Sequence, residues 1–163
     1  MATRRSGLTS RKQSPALFLD LYYPFHYKVG FAIEHALRGS LLTQHQAIIL
    51  WIVHSEGEKG RSMRRKDVEQ RITSWFDVTS SAISKALRGM ARPEMPFLEI
   101  SEDPQSGREK RLYLTDAGQA HIRDMIKRTQ SLIMNIVDEL TDQEIDAGLL
   151  FMRRVSEVME NMG

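Results

Sequence analysis

The sequence predicts a mainly α-helical fold with one small β-hairpin. Apolar residues recur at helical spacing over most of the chain, and two short alternating runs flank a turn that contains proline and glycine. A length of 163 residues favours one domain or a compact pair. Hydrophobic residues make up 41% and charged residues 27% of the chain, which excludes a disordered chain and a membrane protein.

The composition also excludes several kinds of site. The chain has no cysteine, so it has no disulfide framework, thiolate metal centre or cysteine nucleophile. No apolar run reaches the roughly 18–20 residues that span a bilayer. The first residues are basic and polar and lack the apolar core of a signal peptide. We therefore expect a cytoplasmic protein that does not enter a membrane.

The first forty residues predict a basic tail followed by a helical segment. Residues 1–14 show no apolar periodicity, and we expect them to form a flexible tail. Residues 15–40 carry a helical apolar stripe that Pro24 interrupts. Because proline lacks a backbone N–H, this pattern indicates either a kinked helix or a short turn followed by a helix that begins near Pro24.

A buried helix is predicted next. Thr43 and Gln46 have the spacing of a capping box, which marks a helix N-terminus, and Gly57 and Gly60 mark its end. The helix between them is so apolar that we expect it to be almost wholly buried. Its large apolar residues are Ile48, Ile49, Trp51, Ile52 and Val53.

Two short helices and a hairpin complete the central region, residues 41–116. One helix is predicted around residues 65–73, and a second begins after Thr79, a favourable N-cap residue, and is ended by two prolines. Residues 97–100 and 111–114 alternate around a proline- and glycine-containing turn, which predicts a β-hairpin with a longer loop. The inward-facing residues of the two helices are Val68, Ile72, Ile83, Ala86, Leu87 and Met90.

Residues 117–163 predict two further helices. A long helix begins after Thr115, and a second capping box, Thr141 with Glu144, begins the last one. The stripe of the last helix resembles a coiled-coil seam, which a monomer of this size would struggle to bury. We expect a homodimer, and packing of the terminal helices within one chain is the alternative. The stripe consists of Ile145, Leu149, Met152, Val155, Met159 and Met162.

Charge is distributed unevenly along the chain. The net charge is +2, but residues 59–92 alone carry +6, whereas residues 93–116 and residues 117–163 each carry −3. This asymmetry indicates a polyanion-binding face on a body that avoids polyanions. The alternative at this point is a solvated surface with uneven charge.

Two short helices followed by a hairpin, with basic charge around the second helix, describe a winged helix-turn-helix. The second helix of such a unit needs small polar and basic side chains on its outer face to reach bases and phosphates. Arg88 can pair with guanine or clamp a phosphate, and Arg108 near the hairpin tip can enter the minor groove. The candidate DNA-binding residues are Ser80, Ser81, Ser84, Lys85, Arg88, Arg108 and Lys110.

The sequence resembles the MarR family of bacterial transcription regulators in the order and spacing of four stretches. They are residues 42–50, 67–72, 80–87 and 108–118. The resemblance implies a homodimer built from the N- and C-terminal helices, with recognition helices in successive major grooves of a pseudo-palindromic duplex and wings in the flanking minor grooves. It also implies, for many members, a small phenolic or lipophilic ligand that releases DNA. We expect a repressor, and activation stays open.

Three features depart from the usual pattern of that family. The wing often carries an aspartate two residues before its arginine, where this chain has Ser106, with Asp103 further back. The connection from recognition helix to wing, residues 92–96, contains two prolines where the family often has glycine. Trp75 and Phe76 lie in the turn of the motif, where they either pack behind the recognition helix or set its angle.

The remaining candidate sites are a ligand pocket and a metal site. Tyr22, His26, Trp51 and His54 combine aromatic and polar groups as effector pockets do, although such residues also serve core or dimer packing. Four of the five histidines fall nine or ten residues apart, which places no two on adjacent helical turns. We therefore expect no metal and no other cofactor.

The function that the sequence predicts is sequence-specific binding of double-stranded DNA by a homodimeric transcriptional regulator, with a small aromatic or lipophilic effector. The chain carries no glycine-rich phosphate loop and no HExxH or GxSxG motif, so we expect no enzyme activity. The alternatives are a winged helix that binds another protein and a non-specific architectural DNA binder.

Overall fold

The computed structural model describes residues 11–162. The chain divides between His35 and Ala36 into two compact units. Most of the predicted basic tail lies outside the described residues, and the first helix begins at Ser14, inside the predicted tail. Within residues 11–162, no helix is both long enough and apolar enough to cross a membrane.

A helical run opens the described chain. α1 (Ser14–Phe25) is followed by a π-helical turn (His26–Gly30) and by α2 (Phe31–Arg38). Pro24 lies inside α1, so no helix begins there. Because Pro24 cannot donate to the carbonyl four residues before it, the helical hydrogen-bond ladder is interrupted just where the wider turn starts.

The core of the second unit forms around α3 (Gln44–Glu56). The predicted capping box is present, since Thr43 Oγ1 accepts from the N–H of Gln46 and the Gln46 side chain accepts from the N–H of Thr43. The prediction of near-complete burial is wrong for Trp51, which is 39% exposed. The fully buried residues of α3 are Ile49, Leu50, Ile52 and Val53.

The two predicted short helices are α4 (Arg65–Trp75) and α5 (Ser80–Gly89). Their predicted inward residues are all buried. In the turn between the helices, Phe76 packs against the core, whereas Trp75 stays 51% exposed with Arg71 over its ring. For Phe76, the structure therefore agrees with the expectation that it packs behind the recognition helix.

The predicted hairpin is present as β4 (Leu98–Glu102) and β5 (Lys110–Leu114), with Ile100 opposite Leu112. Three further short strands were not predicted. β1 (Ser62–Arg64) adds to the other edge of β5, and the connection from α5 to β4 forms a small hairpin. The strands of that small hairpin are β2 (Ala91–Arg92) and β3 (Met95–Pro96).

Two helices end the chain. α6 (Asp116–Val137) begins after Thr115 and packs on α3, with Ile122 and Met125 fully buried. α7 (Asp142–Glu160) begins with the predicted capping box. No residue of α7 is buried, although the predicted stripe is apolar.

Candidate nucleic-acid interface

α5 has one apolar and one polar face. The helix begins at Ser80 because the hydroxyl oxygen of Thr79 accepts from the backbone N–H of Ala82 at 3.2 Å. Four apolar side chains anchor the inner face in the core, and the other face is therefore left to solvent. The inner residues are Ile83, Ala86, Leu87 and, directly after the helix, Met90.

The outer face of α5 holds the predicted polar residues. Ser80 and Ser81 lie in the first turn, and both side chains are exposed. Lys85 and Arg88 follow on the same face, are exposed, and make no ion pair with residues 11–162. Two cations without carboxylate partners and two hydroxyl groups at a helix N-terminus form a surface that suits phosphate.

Ser84 differs from the other predicted residues of α5. Its side chain is half-buried, and its oxygen accepts from Arg65 Nη2 of α4 at 2.8 Å. Arg65 also donates through Nε and Nη2 to Glu69. Ser84 therefore joins α5 to α4. The sequence predicted Ser84 on the outer face of α5 with the other polar residues, but its hydroxyl group is engaged by Arg65.

Among the described residues, the wing presents one unpaired cation. Arg108 lies in the loop between β4 and β5, is exposed, and makes no ion pair with the described part of the chain. Lys110, the second predicted wing residue, lies 3.4 Å from a carboxylate oxygen of Glu102 on the neighbouring strand. The two predicted wing residues therefore differ, because Lys110 lies beside a carboxylate and Arg108 lies beside none among the described residues.

The loop of the wing is built around Asp103 and Ser106. Asp103 Oδ1 accepts from the N–H of Gln105 at 2.8 Å, and its carbonyl oxygen accepts from Ser106 and Gly107. The Gln105 N–H, against the effect of burial and together with Arg111, holds the pKa of Asp103 below its ordinary value. Ser106 Oγ accepts from a further loop N–H at 3.0 Å, so the serine at this departure from the family pattern still closes the turn.

The comparison with protein families agrees with this geometry. A family model described as a winged helix DNA-binding domain matches residues 42–118, which include α3, α4, α5 and the hairpin. This segment of the chain has the winged helix fold. No curated protein sequence matches the chain.

Solved structures extend the likeness of the winged helix domain to its flanking helices. A MarR family protein from Bacillus stearothermophilus has a TM-score of 0.70 at 16% identity, and the match covers 93% of this chain and 96% of that one. FabT from Streptococcus pneumoniae, solved in complex with DNA, has a TM-score of 0.66 at 17% identity and coverage of 91% and 99%.

A third solved structure is BpsR from Bordetella bronchiseptica, whose DNA binding is regulated by 6-hydroxynicotinic acid. Its TM-score is 0.60 at 19% identity, with coverage of 85% and 92%. The fold predicted from the resemblance is confirmed, because these matches show the MarR fold over most of the chain. Together with the family model, they show a winged helix domain that is flanked by helices on both sides.

The sequence did not predict the polar contacts that connect different elements of the winged helix domain. Arg65 clamps α5, and Arg111 of β5 binds Asp103 at 3.1 Å and Glu58 at 2.9 Å. The Asp-Pro pair at the start of the loop indicated a turn but not its partners. Glu58 lies 53 residues before Arg111, and no local pattern indicates such a contact.

The residues of the predicted ligand pocket form two aromatic pairs. Tyr22 stacks on His26 with ring centroids 5.4 Å apart, and Trp51 meets His54 edge-on at 6.2 Å. A pocket that uses both pairs stays a prediction. Within residues 11–162, no three His, Asp or Glu side chains converge to hold a metal ion.

Proposed function

We propose that this chain is a homodimeric transcriptional regulator that reads a pseudo-palindromic duplex, with α5 in the major groove and the wing in the minor groove. The observation that carries the proposal is the outer face of α5, where Lys85 and Arg88 are exposed and make no ion pair with the residues that the structure describes. Binding to DNA releases counterions from phosphates only where protein cations are available to replace them. FabT, which has the same fold, is solved in complex with DNA.

Five of the seven predicted residues have a role in this proposal. Ser80 and Ser81 bind a phosphate through hydroxyl and backbone N–H groups at the start of α5. Arg88 pairs with a guanine edge, and Lys85 binds the neighbouring phosphate. Arg108 enters the minor groove, where its guanidinium responds to groove width.

The ion pairs of the basic segment support this assignment. Arg64, Arg65 and Arg71 each lie within 4.0 Å of a carboxylate, so part of their charge is neutralised inside the protein. The cations of α5 have no such partner among the described residues. Lys85 and Arg88 therefore keep their full charge for DNA on the helix that would enter the groove.

Homodimerisation is proposed from the terminal helices. No residue of α1 or α7 is buried within its own unit, although both helices are rich in large apolar residues. Extended apolar surface of this kind favours association with a second chain. A two-fold dimer would place two α5 helices about one turn of DNA apart.

An effector completes the proposal. BpsR is regulated by 6-hydroxynicotinic acid, and we propose a small aromatic or lipophilic effector for this chain. Titration of the DNA complex with 6-hydroxynicotinic acid is a first probe, followed by other aromatic acids. Tyr22→Ala and Trp51→Ala should each raise the concentration that releases DNA, whereas unchanged release would remove these residues from the effector site. We propose no catalytic activity.

The test of DNA reading begins with a randomised duplex pool. Selection with the full chain should enrich an inverted repeat whose half-sites are about 10–10.5 base pairs apart. The enriched duplex is then compared with a scrambled duplex over a series of salt concentrations. A steep salt dependence without enrichment would indicate phosphate binding only. Absence of binding at low salt would contradict the proposal and favour a protein partner.

Arg88→Ala separates reading of a base from binding of a phosphate. If Arg88 pairs with guanine, the variant should lose about 1–3 kcal/mol on the selected duplex and lose preference at one base position. Equal loss on selected and scrambled DNA would assign Arg88 to a phosphate. Lys127→Ala is the control, since it removes the same charge from an exposed position of α6 and should keep the sequence preference.

A further inference from the structure

The side chain of Arg111 joins the loop of the wing to the body of the domain. Arg111 lies in β5, and its side chain is only 12% exposed. Its guanidinium donates to Asp103 Oδ2 at 3.1 Å, to Glu58 Oε2 at 2.9 Å and to Ser62 Oγ at 3.2 Å. These partners belong to the wing loop, to the segment after α3 and to β1. Arg111 therefore connects three separate parts of the chain.

Asp103 links Arg111 to the backbone of the loop. Its side chain is 2% exposed, and the oxygen that does not face Arg111 accepts from the N–H of Gln105. Its carbonyl oxygen accepts from Ser106 and Gly107. Gly107, with φ of 62°, turns the chain directly before Arg108. A continuous series of contacts therefore leads from Arg111 to the backbone that presents Arg108.

The charge of the wing makes this fixation important. The hairpin and its loop, residues 98–114, carry four acidic and three basic side chains, so the wing as a whole has no net attraction for DNA phosphates. Within this segment Arg108 makes no ion pair, whereas Lys110 pairs with Glu102. β1 and the buried Leu98, Leu112 and Leu114 hold the strands of the hairpin, whereas the loop that carries Arg108 lies beyond these contacts. The position of Arg108 therefore depends on the contacts that fix this loop.

We propose that Arg111 is a positioning residue that sets the preference for flanking DNA by fixing the loop that presents Arg108. This inference rests on the proposed DNA-binding function. Arg111 itself points into the wing base and acts through Asp103. Arginine suits this role because its planar fork of donors reaches several acceptors at once, which a lysine ammonium group cannot do in the same geometry.

The test compares two duplexes that contain the half-sites selected with this chain and differ only in flanks, which are A·T-rich or G·C-rich. The wild type should prefer the A·T-rich flanks, whose minor groove is narrow, and Arg108→Ala should lose this preference. Arg111→Met should lose it as well, although Arg108 is still present. Adding Arg108→Ala to Arg111→Met should then cause no further loss, because the two residues act in one series of contacts.

Three comparison variants separate position from charge. Lys110→Met removes the same charge one residue away and should weaken binding to both duplexes equally, so that the preference stays. Arg111→Lys keeps the charge but not the fork, and should restore only part of the preference. Asp103→Asn keeps the shape of the loop residue and removes its charge, so it should change the preference in the direction of Arg111→Met and serves if that variant does not fold.

Trypsin cleavage after Arg108 gives a measurement that needs no DNA. Loss of one charge-assisted hydrogen bond corresponds to about a tenfold or larger rise in local opening, so Arg111→Met should be cleaved faster by that factor. Lys110→Met should be cleaved after Arg108 at the rate of the wild type. Thermal unfolding of every variant shows that the rest of the domain is folded.

The outcomes distinguish this inference from the proposed function. If Arg111→Met keeps the flank preference of the wild type, the inference is wrong and the proposed function stands. The inference is also overturned if the wild type binds the selected duplex without any flank preference. If the wild-type chain binds no duplex, the proposed function fails and the assigned role of Arg111 fails with it, even if the wing is cleaved faster.

Discussion

His121 of α6 carries a polar atom inside an apolar contact. Its ring stacks on Phe97 with centroids 4.5 Å apart, and its buried Nε2 has no hydrogen-bond partner among residues 11–162. Burial lowers the pKa of His121 below its ordinary value of 6.5, Arg128 lowers it as well, and Asp124 opposes both. The folded chain therefore favours the neutral imidazole.

The lowered pKa of His121 predicts a pH-dependent stability. The unfolded chain binds a proton at His121 at higher pH than the folded chain does, so the free energy of unfolding falls as the pH decreases below 6.5. His121→Phe keeps the ring stacking and removes the titration, so it should lose less stability than the wild type between about pH 7.5 and about pH 5.5. Urea unfolding across this range measures the difference.

The exposed His35→Gln variant is the control, and its pH profile should follow that of the wild type. If His121→Phe also follows the wild-type profile, another group causes the pH dependence. Thermal unfolding at the same pH values gives an independent measurement of each variant.

The surroundings of a side chain could be predicted from the sequence only where they depend on residues close by in the chain. The exposed cations Lys85, Arg88 and Arg108 follow from helical and hairpin periodicity, because periodicity determines which side chains face away from a core. The partners of Arg65 and Arg111 do not follow, since Ser84 lies 19 residues and Glu58 lies 53 residues away in the sequence. Only the packed fold brings such groups together.

At the scale of elements, the first turn of α6 packs very closely on the strand edge of the wing. A Cβ atom on Gly118 would lie 2.2 Å from the carbonyl oxygen of Phe97, which is backbone and cannot rotate away. The same carbonyl accepts from the N–H of Thr115 at 3.2 Å, which holds it in this position. Because glycine has no Cβ atom, Gly118 allows α6 to lie this close to the start of the hairpin.

Gly118→Ala should destabilise the domain for this reason. The added methyl group forces the helix away from the hairpin, and we expect a loss of about 1–3 kcal/mol in the free energy of unfolding. Ala117→Ser, at the exposed neighbouring position, should stay within about 0.5 kcal/mol of the wild type. Chemical denaturation measures both, and equal stability of Gly118→Ala and wild type would show that the contact relaxes at no cost.

Elements with strong local signals were predicted well. Thr43, Thr79 and Thr141 act as N-caps as expected, because a cap depends on residues three positions apart. β1 was missed, since three residues are too short for alternation and their partners in β5 are about fifty residues away. The small β2–β3 hairpin was missed because its prolines indicated only the end of a helix.

At the scale of the molecule, charge and apolar surface occupy different parts of the chain. The segment 59–92 carries +6, and the net charge of residues 117–163 is −3. The large apolar residues of α7 are exposed, with Leu149 at 58%. Such a division suits a protein that approaches DNA with one region and a second chain with another. The sequence predicted the stripe of α7 from its spacing, but spacing does not state which surface covers it.

Leu149→Glu tests whether α7 belongs to a dimer interface. A carboxylate placed in an apolar interface loses its hydration without a partner, at a cost of several kcal/mol, so the dimer should weaken about hundredfold or more. The variant should sediment as a monomer at concentrations where the wild type is a dimer. Each monomer should still be folded, because Leu149 is not buried within its own chain.

Loss of the dimer should also reduce specific DNA binding. Two linked recognition helices bind an inverted repeat with a high effective concentration, which separate monomers lack. Leu149→Glu should therefore lose affinity for the selected duplex while it keeps weak binding to scrambled DNA. Ala147→Glu adds the same charge to an exposed position of α7 outside the stripe and should remain dimeric. If Leu149→Glu sediments as the wild type does, the interface lies elsewhere, and the apolar face of α7 has another partner.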